Sequence, residues 1–210
     1  MSRHHPDAET LLHYVAGTLA PGLAAVVAVH LEGCAECRAR EAELCAAGGV
    51  LLEDLEPAAM APDAFADVVA RLGDVPVPRA AHVPRQNLIL PGGVKLPAAL
   101  RGCDIGRWLW IGHGVRFSKV RLPWSPDSNV FLLRVAANRR VITHSHGEVE
   151  FTHVLQGGFS DVTGDYDAGD LAEADASLEH QPVAGPEGCL CLAALEGGMR
   201  LPWLLRWRAG

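Results

Sequence analysis

Residues 30–37 have the sequence HLEGCAEC, which separates His30, Cys34 and Cys37 by intervals of four and three residues. A helix turns by about 100° per residue, so these three side chains would fall within an arc of about 60°. If the helix breaks at Gly33, the three groups still converge across a tight junction. Imidazole and thiolate groups are the ligands that Zn²⁺ prefers in structural sites. The spacing therefore predicts three ligands of one zinc ion.

A closed structural zinc site needs a fourth ligand, which must come from elsewhere in the chain. His4 and His5, ahead of the first predicted helix, are the best suppliers, and His13 is the competitor. The alternative interpretation is that Cys34 and Cys37 are buried thiols that hold no metal. We expect the metal, because three ligand-type residues at metal spacing are a specific signal.

The helical spacing of apolar residues predicts four short helices in the first third of the chain. Asp7 caps the first helix, and the second begins near Leu23. The third runs from Cys34 toward Leu55, and Asp63 caps the fourth. Four short helices enclose a thin core, which a structural metal would stabilise. The predicted apolar faces are Leu11, Leu12, Val15 and Leu19 in the first helix, Val26, Val27 and Leu31 in the second, and Phe65, Val68, Val69 and Leu72 in the fourth.

Charge is distributed unevenly along the 210 residues, whose formal net charge is −7. Residues 1–75 carry 12 acidic and 4 basic side chains, whereas residues 76–210 carry 13 acidic and 14 basic ones. The acidic segment argues against direct nucleic-acid binding, because phosphates are bound by Lys and Arg. It favours a basic protein partner. Since Pro76 and Pro78 end the helical pattern, we assign residues 1–75 to an all-α domain and residues 76–87 to a linker.

Residues 88–210 contain short β-branched and aromatic runs that are separated by glycine and proline turns. Many short strands at this spacing are typical of an all-β sandwich or barrel. The sequence therefore predicts an α+β protein in which a small all-α domain precedes an all-β domain. The predicted strands are residues 108–111, 130–135, 151–155, 189–195 and 201–207.

Residues 144–150 of the β segment have the sequence HSHGEVE. His144 and His146 share one strand face, and Glu150 has the same parity although Gly147 interrupts the strand pattern. His180 follows thirty residues after Glu150, in a polar stretch. Three imidazoles and one carboxylate suit zinc, iron, manganese or nickel. These four residues predict a second metal site, and the alternative is a degenerate site with surface histidines.

The hydropathy of the chain bears on its location. No window approaches 18 consecutive apolar residues, and the N-terminus lacks the apolar segment of a secretory signal. The sequence therefore predicts a cytoplasmic protein without a membrane partner. Thiols stay reduced in that compartment, so we interpret the six cysteines as ligands or buried thiols.

Other cysteine, histidine and tryptophan residues are interpreted as packing residues. Cys45 has no partner at ligand spacing and is predicted to be a core thiol. Cys189 and Cys191 share one strand face and are assigned to the core, with a redox role as the alternative. His153 is interpreted as a core or surface histidine. Barrel packing is predicted for Trp108, Trp110 and Trp124.

Residues 5–19, HPDAETLLHYVAGTL, and residues 30–38, HLEGCAECR, together resemble the zinc-binding anti-sigma domain of the ChrR-type regulators. In that family a histidine near the N-terminus joins the His-x3-Cys-x2-Cys set around one zinc. The family's helices bind a cognate extracytoplasmic-function (ECF) sigma factor and block its use by RNA polymerase. The resemblance therefore implies a 1:1 complex with an ECF sigma factor. The zinc ligands that it implies are His5, His30, Cys34 and Cys37.

The pattern His-x-His-x3-Glu-x6-Gly, formed here by His144, His146, Glu150 and Gly157, resembles the first motif of the cupin family. In the second motif His180 falls at the matching position, although several turn residues of the motif differ. The resemblance implies that residues 88–210 form a cupin barrel, also called a double-stranded β-helix or jelly roll. It implies that the metal ligands are His144, His146, Glu150 and His180.

The order of the two modules implies a zinc-dependent anti-sigma factor whose cupin domain senses an oxidative signal such as singlet oxygen. The cupin would hold Zn²⁺ or another divalent metal, and a small ligand there is a further expectation. One alternative is a metal-dependent cupin enzyme, a dioxygenase or isomerase, with an N-terminal interaction module. Another is a cupin that binds a sugar or other small molecule without catalysis. No phosphate-binding loop or dinucleotide fingerprint supports a different enzyme class.

Overall fold

The computed structural model describes residues 2–72 and 89–200. The predicted linker, residues 76–87, and the predicted strand at residues 201–207 lie outside the described residues. None of the helices in the described ranges combines the length and the hydropathy that crossing a membrane requires.

Four helices form the N-terminal part: α1 (Ala8–Val15), α2 (Pro21–Gly33), α3 (Ala35–Glu53) and α4 (Ala64–Arg71). Asp7 caps α1 as predicted, because its Oδ1 accepts a hydrogen bond from the Thr10 N–H at 2.6 Å. Helix α1 ends before Gly17, whose φ is +69°, so Leu19 lies outside the helix to which it was assigned. Helix α2 begins two residues before the predicted Leu23, since Pro21 is well suited to a first helical turn.

Residues 89–200 contain one short 3₁₀ helix and many short strands. Strands such as β3 were not predicted, because the sequence analysis looked for continuous apolar runs. In β3 buried and exposed residues alternate instead. The 3₁₀ helix is Ala98–Leu100. The strands are β1 (Asp104–Ile105), β2 (Leu109–Gly112), β3 (Val115–Leu122), β4 (Ser125–Val135), β5 (His144–His146), β6 (Glu150–Asp161), β7 (Gly164–Asp167), β8 (Leu171–Ala174), β9 (Glu179–His180), β10 (Val183–Leu195) and β11 (Met199–Arg200).

The strands pair antiparallel in two sheets. The larger sheet has the order β1-β3-β4-β10-β6-β7, with β2 added to β3 and β8 added to β6. The smaller sheet has the order β11-β5-β9. In the pair β4–β10, Leu132 lies opposite Leu192 and Leu133 opposite Cys191, so alternate residues face opposite sides of the larger sheet. The architecture is a cupin barrel, as predicted.

Helix α2 packs against the outer face of the larger sheet. Val26 and Val27 have no exposed surface, and they belong to the same buried cluster as Leu132 and Leu192. The approach is close, since a Cβ atom on Gly22 would lie 3.2 Å from Cγ2 of Val130. Full burial of a valine side chain contributes about 1.5–3 kcal/mol. The helical segment and the barrel therefore share one hydrophobic core.

Several apolar and thiol side chains that were predicted to be buried are exposed. Cys45 is exposed on α3, so its assignment to the core is wrong. Trp110 and Trp124 are more than half exposed, whereas Trp108 packs against the core. Trp110 lies on β2, a strand that pairs with β3 alone among the described strands and is exposed along its whole length. Helix α4 has no buried residue, so the predicted apolar face of Phe65, Val68, Val69 and Leu72 contacts no core within the part of the chain that the structure describes.

Candidate metal centres

The four residues of the first candidate metal site lie on three elements that converge on one point. His5 precedes α1, His30 lies near the end of α2, Cys34 forms the junction, and Cys37 lies in the first turn of α3. His5 Nδ1 lies 3.4 Å from Cys34 Sγ and 3.3 Å from Cys37 Sγ, and His30 Nε2 lies 3.3 Å from Cys37 Sγ. Ligand atoms in a tetrahedral zinc site are about 3.3–3.8 Å apart, so these distances match one zinc ion.

The chain reaches this arrangement by a break between two helices. Cys34 has an extended backbone, with φ −107° and ψ 106°, so α2 and α3 are separate helices. Its N–H donates to the His30 carbonyl at 3.0 Å, and its Sγ accepts from the Cys37 N–H at 3.4 Å. The three residues therefore do not lie on one helix, which agrees with the predicted third helix that starts at Cys34. The predicted alternative, convergence across a tight junction at Gly33, describes the structure.

Burial sets the protonation of the first site. It lowers the pKa of His30 to about 4, with a further contribution from His5. The nearby Gly169 carbonyl acts in the opposite direction and raises the pKa of His30. Nδ1 of His30 nevertheless has no well-formed hydrogen bond among the described residues. Burial and the hydrogen bond to Cys34 raise the pKa of Cys37 to about 12. A neutral imidazole is ready to ligate, and a buried thiolate needs a cation to form, which fits a metal centre.

Of the three histidines considered as the fourth ligand, the structure brings only His5 to the cluster. The ring of His4 lies instead against the Asp165 carbonyl, with its Nε2 3.1 Å from that oxygen. His13 pairs through Nδ1 with the Thr18 hydroxyl at 2.8 Å. The other ring nitrogen of His5 lies 3.5 Å from a Glu36 carboxylate oxygen. Such a carboxylate orients a ligating imidazole and raises its basicity.

The second candidate site lies in the barrel and contains His144 and His146 of β5, Glu150 of β6 and His180 of β9. One ligand-type atom from each residue lies within 4.8 Å of the others, and all four residues are buried. Strand β5 ends at His146, so Glu150 does not continue the same strand and arrives after a turn at residues 147–149.

Neighbouring hydrogen-bond acceptors determine which ring nitrogen carries the proton in two of these histidines. His144 Nδ1 lies 2.8 Å from the Ile142 carbonyl and donates to it, and His180 Nδ1 lies 2.7 Å from Asp161 Oδ2. With both Nδ1 atoms protonated, the two Nε2 atoms carry lone pairs, and they face each other at 3.1 Å. Two lone pairs at that distance repel unless a cation lies between them. The donor set therefore fits a metal ion.

The charge of the second site is concentrated on Glu150. Burial alone would raise its pKa, but the adjacent imidazoles of His144 and His146 lower the pKa of Glu150 to about 2. Burial alone would lower the pKa of His144, but Glu150 and the Ile142 carbonyl raise it. Both ring nitrogens of His146 and one oxygen of Glu150 are buried without a well-formed hydrogen bond. A cation would satisfy these atoms, whose burial without partners is costly.

A series of contacts joins the two candidate sites. The Thr163 hydroxyl donates to Asp161, the partner of His180, at 2.5 Å and lies 2.9 Å from the Tyr166 hydroxyl. The ring of Tyr166 packs on the ring of His4, with centroids 4.6 Å apart. His4 is the sequence neighbour of His5. We call the series His180–Asp161–Thr163–Tyr166–His4 the contact series.

A second set of contacts fixes the N-terminal segment to the barrel. The carboxylate of Asp170 accepts hydrogen bonds from the N–H groups of Arg3, His4 and Asp167 at 2.6, 3.2 and 2.9 Å. The Leu171 N–H donates to the His4 carbonyl at 3.1 Å. Sequence reasoning missed Asp161 and Asp170, because their contacts with His180 and with the N-terminal segment join residues that are far apart in the chain.

The remaining residues singled out in the sequence lie in the core. Cys189 and Cys191 are buried on the inner face of β10, with their sulfur atoms 3.1 Å apart. His153 is buried on the outer face of β6, and its ring meets the ring of His30 edge-on at 5.4 Å. Their burial agrees with the packing roles that the sequence predicted.

Comparisons with known proteins identify the family. A family described as "ChrR Cupin-like domain" matches residues 100–197, and one described as "Putative zinc-finger" matches residues 9–38. The Anti-sigma-E factor ChrR of Cereibacter sphaeroides is 39% identical to this chain over 199 residues, which are 94% of this chain and 92% of that relative. The chain belongs to the ChrR family of anti-sigma factors.

A solved ChrR structure has the same fold. In the crystal structure of Rhodobacter sphaeroides SigE in complex with the anti-sigma ChrR, the matching chain is 38% identical. The match has a TM-score of 0.74 and covers 93% of this chain and 100% of that chain. Membership of the ChrR family favours a regulator over the metal-dependent enzyme that the cupin motif left open.

Proposed function

We propose that this chain is a zinc-dependent anti-sigma factor that binds one ECF sigma factor and blocks its use by RNA polymerase. The observation that carries the proposal is the match over 93% of the chain to the complex of ChrR with SigE. The function places the protein in the cytoplasm, where RNA polymerase acts. No direct contact with nucleic acid or membrane is part of the proposal.

The surface for the sigma factor would be the exposed apolar surface of the last turns of α3, the segment after it, and α4. Phe65 is 81% exposed and Leu72 is 70% exposed. Large apolar side chains that are exposed to water along one segment of the chain favour a protein interface there. The members of this surface are Val50, Leu51, Leu52, Leu55, Phe65, Val68, Val69 and Leu72.

The negative charge of this segment also favours it as the surface that binds the sigma factor. Residues 41–67 contain seven acidic and no basic side chains. A sigma factor that contacts promoter phosphates is basic, so an acidic partner speeds association and favours the correct complex. The mixture of apolar and acidic side chains on one segment fits a protein partner that itself binds DNA.

Zinc would hold the shape of the helical segment. We assign its ligands as His5, His30, Cys34 and Cys37, which join the N-terminal segment to the junction of α2 and α3. The cupin cluster of His144, His146, Glu150 and His180 would hold zinc, iron, manganese or nickel.

The cupin domain would sense an oxidative signal, such as singlet oxygen, and release the sigma factor. The contact series gives a physical route from His180 to the segment that carries His5. A thousandfold release requires that the signalled and resting states differ by about 4 kcal/mol in their affinity for the sigma factor.

The test uses the full-length chain and an ECF sigma factor of the same organism, starting with any that is encoded beside it. We expect a 1:1 complex in size-exclusion chromatography with light scattering. Leu72→Asp should weaken this complex at least tenfold, because it places a charge in the exposed apolar surface. Leu109→Asp is the matched control, since Leu109 is also exposed but lies on β2 of the barrel. If no complex forms with the wild-type chain, the proposed function is wrong.

A further inference from the structure

The barrel encloses a cavity of about 210 Å³ beside the second candidate metal site. His144, Glu150 and His180 form part of its wall, so a bound molecule would reach the metal-ligating atoms directly. Most of the remaining wall is apolar. The large apolar side chains in it include Phe117, Phe131, Leu133, Phe159, Leu178 and Leu195.

The charged groups of the wall restrict the net charge of a ligand. No Lys or Arg occurs among the described residues that line the cavity. Besides Glu150, two other carboxylates line the cavity, those of Asp161 and Glu173. Asp161 accepts a hydrogen bond from His180, and Glu173 accepts hydrogen bonds from the N–H of Asp7 and the hydroxyl of Thr10. A molecule with two or more anionic groups would therefore leave one of them buried without a cation, which is costly.

The polar groups of the wall argue against a sugar. The Thr152 hydroxyl already donates to Glu150 at 3.2 Å, and the Thr163 hydroxyl donates to Asp161. The amide oxygen of Asn129 lies 3.3 Å from the ammonium group of Lys119. A ligand with many hydroxyl groups would lose its hydrogen bonds to water without replacement in this wall.

We propose that the cavity binds a monocarboxylate with an apolar tail, that is, a short fatty acid of about eight carbons. The inference rests on the metal that the proposed function places at His144, His146, Glu150 and His180. A divalent cation with three neutral imidazoles and the Glu150 carboxylate would carry one positive charge on its own set of ligands, and a single carboxylate that joins this set neutralises it, whereas the Asp161 carboxylate is already bonded to His180 and Thr163. The volume is below the 300–1,000 Å³ of drug-sized pockets, which suits about ten non-hydrogen atoms.

The test is a titration series by isothermal calorimetry on the full-length chain purified with its metals. Affinity should rise roughly fourfold per methylene from butanoate to octanoate, or about 250-fold in all, because each methylene leaves water. Octanol, which lacks the anion, and succinate, which has two anions, should each bind at least tenfold more weakly than octanoate. The proposal is overturned if affinity does not depend on chain length, or if succinate or glucose binds as tightly as octanoate.

One variant locates the binding site. Ala193 lies on the inner face of β10 and lines the cavity, so Ala193→Leu should fill part of it and weaken octanoate binding at least tenfold. Leu109→Ala, at an exposed position outside the cavity, should bind octanoate as the wild type does. Unchanged octanoate binding in a folded Ala193→Leu variant would place the ligand elsewhere and overturn the proposal.

Complex formation with the sigma factor separates the two proposals. A chain that binds the sigma factor but prefers no monocarboxylate disproves this ligand class and leaves the proposed function intact. A chain that shows the expected octanoate series but binds no sigma factor disproves the anti-sigma function alone.

Discussion

At the scale of single residues, two cysteines of α3 have opposite roles. Cys37 is fully buried in the first candidate metal site, and Cys45 is exposed two turns later. We expect Cys37→Ser to lower the zinc content by about one ion per chain and to reduce stability, because a serine hydroxyl replaces a thiolate ligand. Elemental analysis and thermal unfolding measure both effects. Cys45→Ser should leave both unchanged, and an equal zinc loss in the two variants would contradict the ligand assignment.

Glu173 makes the contact between α1 and the barrel dependent on pH. Its burial raises its pKa to about 7, so the folded chain keeps a proton that the unfolded chain releases above about pH 4.5. The stability that Glu173 contributes is therefore complete at low pH and falls as the pH rises through 7. Glu173→Gln stays neutral, so its free energy of unfolding should rise relative to the wild type between pH 5 and pH 8. Urea unfolding at several pH values measures this free energy, and Glu179→Gln, at an exposed position, is the control. A free-energy difference between Glu173→Gln and the wild type that does not change with pH would contradict the prediction.

At the scale of elements, the packing of α2 on the larger sheet predicts cooperative unfolding. Leu132 has no exposed surface and lies in the cluster shared with α2. We expect Leu132→Ala to cost about 2–5 kcal/mol and to destabilise the helices and the barrel in one transition, since it leaves a cavity between them. Leu109→Ala, at a 55% exposed position, should change stability by less than about 0.5 kcal/mol. Circular dichroism and fluorescence transitions that separate in Leu132→Ala would show that the two parts unfold independently.

The sequence allowed the prediction of the elements but not of all their contacts. Local spacing predicted the helices and grouped His30, Cys34 and Cys37, because these interactions lie within a few residues of each other. The docking of α2 was missed, although buried residues on nearly all of its sides are typical of a central helix. The roles of Asp161 and Asp170 depend on tertiary contacts, which no local pattern encodes. The apolar face of α4 was correctly recognised as apolar, but no core formed by residues 2–72 and 89–200 covers it.

At the scale of the whole molecule, the contact series predicts that the two candidate metal sites influence each other. Zinc transfer from the first site to a chromogenic chelator reports on the His5 segment. We expect His146→Ala, which removes a cupin ligand, to change this transfer rate about fivefold, a coupling of about 1 kcal/mol.

In a Thr163→Val background the effect of His146→Ala should fall below about twofold, because valine cannot bridge Asp161 and Tyr166. Ser177→Ala is the control background, since Ser177 bonds only to Asp175 among the described side chains. If His146→Ala has the same effect in all three backgrounds, the contact series does not carry the coupling, and the signal from the cupin must reach the helices through the sheet on which α2 packs.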